Sequence, residues 1–341
     1  MRLAWPLAVA LVAIPLAVLA LAVAVPGCQR HRADADPDPG PTVTETPTPD
    51  VDGPEPLPIG PGRHDDAIPY EGRNRRFVLF VPESYDGTEA APLVLVLHPA
   101  DGDADQMIEV SGFVDMAERY GFLLVFPEGT APFGGQLFTW NAGNCCGYAM
   151  ERQVDDVGFL RALIDHLAGR LTVDSRRIYA AGISNGGMLA YRLACEMADV
   201  LAAVAPVSGA LNVEVCDPAQ PISLIAFHGT EDSYVPYEGG TPEVILDGNE
   251  RVDRSVAESV GFFLQRNGCP AEADRSTAGL VHTDRYEPCV GGTSVVLVTI
   301  EGGGHAWPGG ERSGSLTDVP TRWPDATEEI WKFFAEHPRP D

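Results

Sequence analysis

Residues 93–97 read LVLVL, five apolar side chains in succession. In an extended chain they point alternately to both faces and leave neither for water. Such a strand must be covered on both sides, the condition of a parallel sheet held between two helix layers. Further strand signals fall at 76–81, 122–126 (FLLVF), 177–181, 201–207, 222–227 and 294–300. Between them, apolar residues recur at helical spacing at 106–120 before Gly121, and at 156–171 with Asp155 or Asp156 as N-cap. The same spacing recurs at 186–197 and 326–336. This alternation predicts a doubly wound, mostly parallel sheet, whose ligand sites collect beyond the carboxyl ends of the strands.

The remaining sequence divides into three segments. Residues 3–25 carry no charge and are long enough to cross a bilayer. They end at Val25-Pro26-Gly27-Cys28, which resembles a bacterial lipobox with Cys28 as the lipidated residue, although Pro26 is atypical there. A lipid anchor, a plain signal peptide and an uncleaved anchor would each export the rest of the chain. Residues 29–63 are rich in Pro and Asp, too poor in apolar groups to pack, and read as an extended spacer. Residues 64–341 then form one catalytic domain without a large cap or an added binding module, expected to be a monomer. Of the 341 residues, 49 are acidic and 23 basic, a net charge of −26 that repels phosphate backbones and excludes a nucleic-acid partner.

The sequence Gly182-Ile183-Ser184-Asn185-Gly186 lies between a strand signal and a helix signal. A G-x-S-x-G turn in that position exposes its serine on a strained strand-to-helix elbow, where a side chain at either glycine would clash. The α/β-hydrolase fold built on such a turn then requires an acid and a histidine, in that order. The strand at 222–227 runs into His228-Gly229-Thr230-Glu231-Asp232, which offers Asp232, with Glu231 as fallback. The strand at 294–300 runs into Glu301-Gly302-Gly303-Gly304-His305, a glycine-rich loop that presents one histidine as general base. His98 and His228 abut strand ends and are expected to orient loops. His282 lies between cysteines, and His31, His64, His166 and His337 lie in linker, helix or tail. The oxyanion hole is expected to combine the Asn185 N–H with that of Ala100 or Asp101, since Pro99 has none. Trp140 and Trp307 are candidate substrate contacts near the rim. No residue spacing suggests a metal, and no cofactor is expected.

With Cys28 set aside, six cysteines remain in an exported chain, which suggests disulfides. Pairing by proximity joins Cys195 to Cys216 and Cys269 to Cys289. Cys145 and Cys146 are left as a vicinal pair, unless one pairs elsewhere.

The chain resembles extracellular esterases of the polyhydroxybutyrate depolymerase, lipoprotein esterase, and feruloyl or acetylxylan esterase type. The matching segments are LVLVLHP, WNAGNCCG (140–147), VDDVGFLRALID (154–165), GISNGGMLAYRLAC (182–195), FHGTEDSYVPY (227–237), EGGGHAWPGG (301–310) and ATEEIWKFFAEHP (326–338). The family commonly has glycine where this chain has Pro99. The resemblance implies hydrolysis through an acyl-enzyme on Ser184, with Asp232 and His305 completing the triad. It also implies a small ester, a polyester or an esterified polysaccharide as substrate. An acyltransferase or peptidase on the same fold, or a non-catalytic binding lipoprotein, are the competing classes.

Overall fold

The computed structural model describes residues 59–340, except 133, 134, 136, 246–249 and 313–317. The leader with Cys28, His31 and residues 29–58 of the spacer lie outside the described residues. Among the described residues, no helix is long and apolar enough to cross a membrane.

Among the described residues the ten strands are β1 (Gly62–Tyr70), β2 (Arg73–Val81), β3 (Ala91–Leu97), β4 (Leu123–Pro127), β5 (Val173–Ile183), β6 (Ala203–Val207), β7 (Ser223–Gly229), β8 (Asp274–Ala278), β9 (Val281–Tyr286) and β10 (Val295–Ile300). They form one sheet in the order β1-β2-β4-β3-β5-β6-β7-β10-β9-β8. The six strands from β4 through β10 in that order are parallel to one another, and an antiparallel pair closes each edge. As the runs of apolar residues require, β3, β4, β6 and β7 are buried along their whole length. The expected parallel core is present; the antiparallel edges are additional.

Among the described residues there are seven α-helices: α1 (Ala104–Ser111), α2 (Phe113–Tyr120), α3 (Gly147–Glu151), α4 (Asp156–Ala168), α5 (Asn185–Glu196), α6 (Val256–Arg266) and α7 (Ala326–Glu336). The single helix expected at 106–120 is divided. Gly112 takes φ +67°, ends α1 and starts α2, because a left-handed residue cannot continue a right-handed helix. Asp155 caps α4 by accepting the Gly158 N–H at 2.9 Å. On α7, Ile330, Trp331, Phe333 and Phe334 are buried. Phe334 stacks on Tyr179 of β5 at 4.6 Å and Trp331 on Phe122 at 4.1 Å. Each such side chain contributes about 1.5–3 kcal/mol of burial.

Strand β1 starts at Gly62, inside the stretch assigned to the spacer, and pairs along its length with β2. Disulfides join Cys195 to Cys216, Cys269 to Cys289 and Cys145 to Cys146. The first two span 21 and 20 residues, a closure worth about 3 kcal/mol each on the chain-entropy account.

Candidate active site

Ser184 sits between β5 and α5 with φ +58° and ψ −122°, a conformation that costs an ordinary residue about 1–3 kcal/mol. The neighbouring glycines make it possible. A Cβ at Gly182 would meet the Gly186 carbonyl, and one at Gly186 would meet the Leu97 and His98 carbonyls, where β3 passes close behind the turn. The Ser184 N–H donates to Val207 O at 2.9 Å, which ties the elbow to β6. Ser184 opens into a cleft lined also by Ala100, Cys145, Cys146, Met188, Tyr234 and Arg251.

Asp232 follows β7 and His305 follows β10, neighbouring parallel strands, so their loops leave the same edge of the sheet. His305 Nδ1 lies 2.8 Å from Asp232 Oδ2, and both side chains are almost fully buried. The other carboxylate oxygen, Oδ1, accepts the backbone N–H groups of Tyr234 and Val235 at 2.9 and 2.8 Å. Burial alone would raise the Asp232 carboxyl. His305, His228 and the Val235 N–H outweigh it and hold the group below the ordinary aspartate value. Glu231, the fallback acid, is exposed, and His305 Nδ1 is held by Asp232. Among the described residues, Ser184 Oγ makes no hydrogen bond to His305, a looseness common in active sites before a substrate closes them.

The competing histidines have structural partners. His98 accepts the Gly129 N–H on Nε2 at 2.9 Å and donates from Nδ1 to Pro99 O at 2.7 Å; burial pushes its pKa down to about 4. His228, also lowered by burial, donates from Nε2 to Val235 O at 2.8 Å and braces the Asp232 loop. His337 bonds Phe333 O and Ser294 Oγ. His64, His166 and His282 lie away from the cleft on Gly60 O, Arg170 and Glu301.

Two expectations need correction. Asp101 is not available as an oxyanion donor, because its N–H is spent on Phe138 O at 2.9 Å. Ala100, which lines the cleft, remains beside Asn185, the first residue of α5, where the helix dipole favours negative charge. Neither tryptophan is at the rim: Trp140 and Trp307 are 0% and 1% exposed. The Trp140 indole N–H donates to His98 O at 3.0 Å, and that of Trp307 to Thr327 Oγ1 at 2.9 Å.

Sequence reasoning missed four residues. Tyr234 stacks on the His305 ring at 4.9 Å. Arg251 donates to the Tyr234 carbonyl at 2.7 Å and to buried Asp253 at 2.9 Å. Asp318 accepts the His305 N–H at 2.8 Å and so fixes the loop that carries His305. Tyr234 lies within the FHGTEDSYVPY segment, two residues past Asp232. The other three, Arg251, Asp253 and Asp318, lie where no motif marks them.

The fold is of the α/β-hydrolase class. Residues 76–230 match the family model described as "Esterase PHB depolymerase". Probable feruloyl esterase C of Aspergillus clavatus is 30% identical over 287 residues, covering 81% of this chain and 89% of that protein. Feruloyl esterase B of Piromyces equi is 36% identical over 237 residues; the match covers 68% of this chain but only 42% of that protein's length. The acetyl xylan esterase from Aspergillus awamori superimposes with a TM-score of 0.56 at 13% identity, over 81% of this chain and 99% of its own, a likeness of fold. The chain belongs to the esterase PHB depolymerase family.

Proposed function

We propose that the protein is an exported serine esterase that removes hydroxycinnamoyl or acetyl groups from plant polysaccharide through an acyl-enzyme. The observation that carries the chemistry is the 2.8 Å Asp232–His305 contact, on loops that leave the same sheet edge as the Ser184 elbow. With Nδ1–H held by Asp232, Nε2 of the neutral imidazole is free to take the Ser184 proton as Oγ attacks the ester carbonyl. The Asn185 and Ala100 N–H groups receive the developing oxyanion. The imidazolium then returns the proton to the departing alcohol, and water attacks the acyl-enzyme by the same path in reverse.

The substrate class draws support from the relatives, whose names include feruloyl and acetylxylan esterases. Export draws support from the apolar leader and from three disulfides in the domain. Labelling by a fluorophosphonate probe tests the chemistry: the native protein labels and Ser184→Ala does not. Rates on methyl ferulate, acetylated xylan and polyhydroxybutyrate test the substrate class. A folded protein that neither labels nor hydrolyses p-nitrophenyl acetate would exclude the reading.

A further inference from the structure

We propose that the face of the sheet formed by β10, β9 and β8 is a docking groove for a neutral polysaccharide chain, separate from the Ser184 cleft. Helix α7 packs over β5, β6 and β7, and the three strands beyond extend past it. A groove of about 290 Å³ lies on that face. Register defines its lining. In one row across the sheet, Ile225, Val296, Arg285 and Asp274 stand side by side; in the next, Val298, Thr283 and Ser276 do. The face therefore grades from an apolar floor on β7 and β10 to hydroxyl, guanidinium and carboxylate groups on β9 and β8. Trp323 forms a wall, 57% exposed.

That grading matches one kind of ligand. A sugar ring has an apolar C–H face and a polar hydroxyl edge, so an exposed indole can stack on the first while paired acceptors and donors take the second. Arg285 is paired with Glu287 at 3.3 Å, and Asp274 and Glu329 add two carboxylates to the lining, which disfavours a polyanion, as does the net charge of −26. A polyester chain has carbonyl acceptors but no donors, so it would leave the Asp274 and Glu329 carboxylates desolvated without partners. The groove is also tied to the active site. Asp318, which holds the His305 N–H, lies five residues before Trp323, and Thr321 between them accepts the Gly309 N–H at 2.8 Å. A glycan seated along β8–β10 is thus held by the segment that anchors the catalytic base.

The choice of glycan rests on the reading of the protein as an esterase of decorated polysaccharide, but the groove can be tested independently of turnover. The probe is soluble arabinoxylan cast in a native gel, with Ser184→Ala as the protein so that no ester is cleaved. Retardation is expected. Adding Trp323→Ala, or Ser276→Arg at an exposed strand position, is expected to weaken it about 3- to 10-fold. In the Ser184 background, both variants should hydrolyse p-nitrophenyl acetate within about twofold of the native rate. Retardation that is absent, or that persists unchanged in both variants, overturns the groove. So does a Trp323→Ala effect confined to self-association on size exclusion. Cleavage of methyl ferulate without retardation would sink the groove and leave the esterase reading standing. Retardation without any ester cleavage would do the reverse.

Discussion

Replacing Asp232 by asparagine should remove most activity while leaving the fold intact, because the side chain is committed on both oxygens. Oδ1 accepts two buried backbone N–H groups, from Tyr234 and Val235, and Oδ2 accepts His305 Nδ1–H. An asparagine has only one acceptor oxygen to divide between these partners. Turned one way, its oxygen keeps the two backbone groups and its NH2 faces the imidazole. Turned the other way, it keeps the imidazole but sets NH2 against two buried N–H groups. Each donor so stranded costs about 1–3 kcal/mol, so the first orientation wins by about 2–6 kcal/mol. Facing an NH2 group, His305 must accept on Nδ1 and carry its proton on Nε2, where it cannot take the Ser184 proton. The productive tautomer is then depleted by about 30-fold to about 2 × 10⁴-fold, and kcat should fall by that factor. Hydrolysis of p-nitrophenyl acetate, with circular dichroism as a folding control, measures it. Exposed Glu231→Gln should stay within about twofold of native. An Asp232→Asn enzyme that keeps more than a tenth of native kcat would refute the reasoning. A hundredfold loss in Glu231→Gln would do so equally.

His98 predicts a pH dependence of stability. Its pKa in the fold, about 4, lies below the ordinary 6.5, so the unfolded chain takes up the proton first as pH falls. The stabilisation is complete above about pH 6.5 and is lost progressively down to about 4, a difference of about 3 kcal/mol. Urea midpoints of the native protein should fall more steeply over that range than those of His98→Gln; parallel slopes count against the argument. Arg75 and Asp156 form an ion pair at 2.6 Å with both side chains almost wholly buried. Arg75→Met should cost about 3–5 kcal/mol in urea unfolding, because it leaves Asp156 charged and uncompensated. Arg75→Met with Asp156→Leu should recover more than half of that, short of the whole because Asp156 also accepts the Asn141 N–H. A double variant less stable than the single one contradicts this.

The legible part of the molecule was the part whose physics is local. Continuous apolar runs identify buried strands, so β3, β4, β6 and β7 follow from composition along a few residues. The elbow was legible because only glycine tolerates the approach of β3 behind Ser184. The pairing of Asp232 with His305 was an inference from order along the chain; their contact depends on β7 and β10 being neighbours, which 65 intervening residues conceal. Strand β8 was illegible because all five of its residues are exposed, so no hydrophobic period marks it. Asp318 and Arg251 act through backbone groups of His305 and Tyr234, and such contacts leave no residue pattern to read.

Burial of Trp140 changes the role expected of it and also accounts for the site's rigidity. Asn185, whose backbone N–H is the proposed oxyanion donor, grips the Trp140 backbone with its side-chain amide, accepting the N–H at 2.7 Å and donating to the carbonyl at 3.0 Å. The Trp140 indole in turn holds the His98 carbonyl, and the His98 ring holds the Pro99 carbonyl and the Gly129 N–H. The start of α5 and the loop after β3, which are proposed to supply the oxyanion donors, are therefore joined through buried Trp140. Pro99 offers no N–H and Asp101 spends its own on Phe138, so the proposal rests on Ala100 as the donor from its loop. A hole with one donor from each of two loops works only if the separation of those loops is fixed, since a misplacement near 1 Å can cost about 10²-fold in rate. On the proposed mechanism, Trp140 holds that separation from its buried position between the two segments.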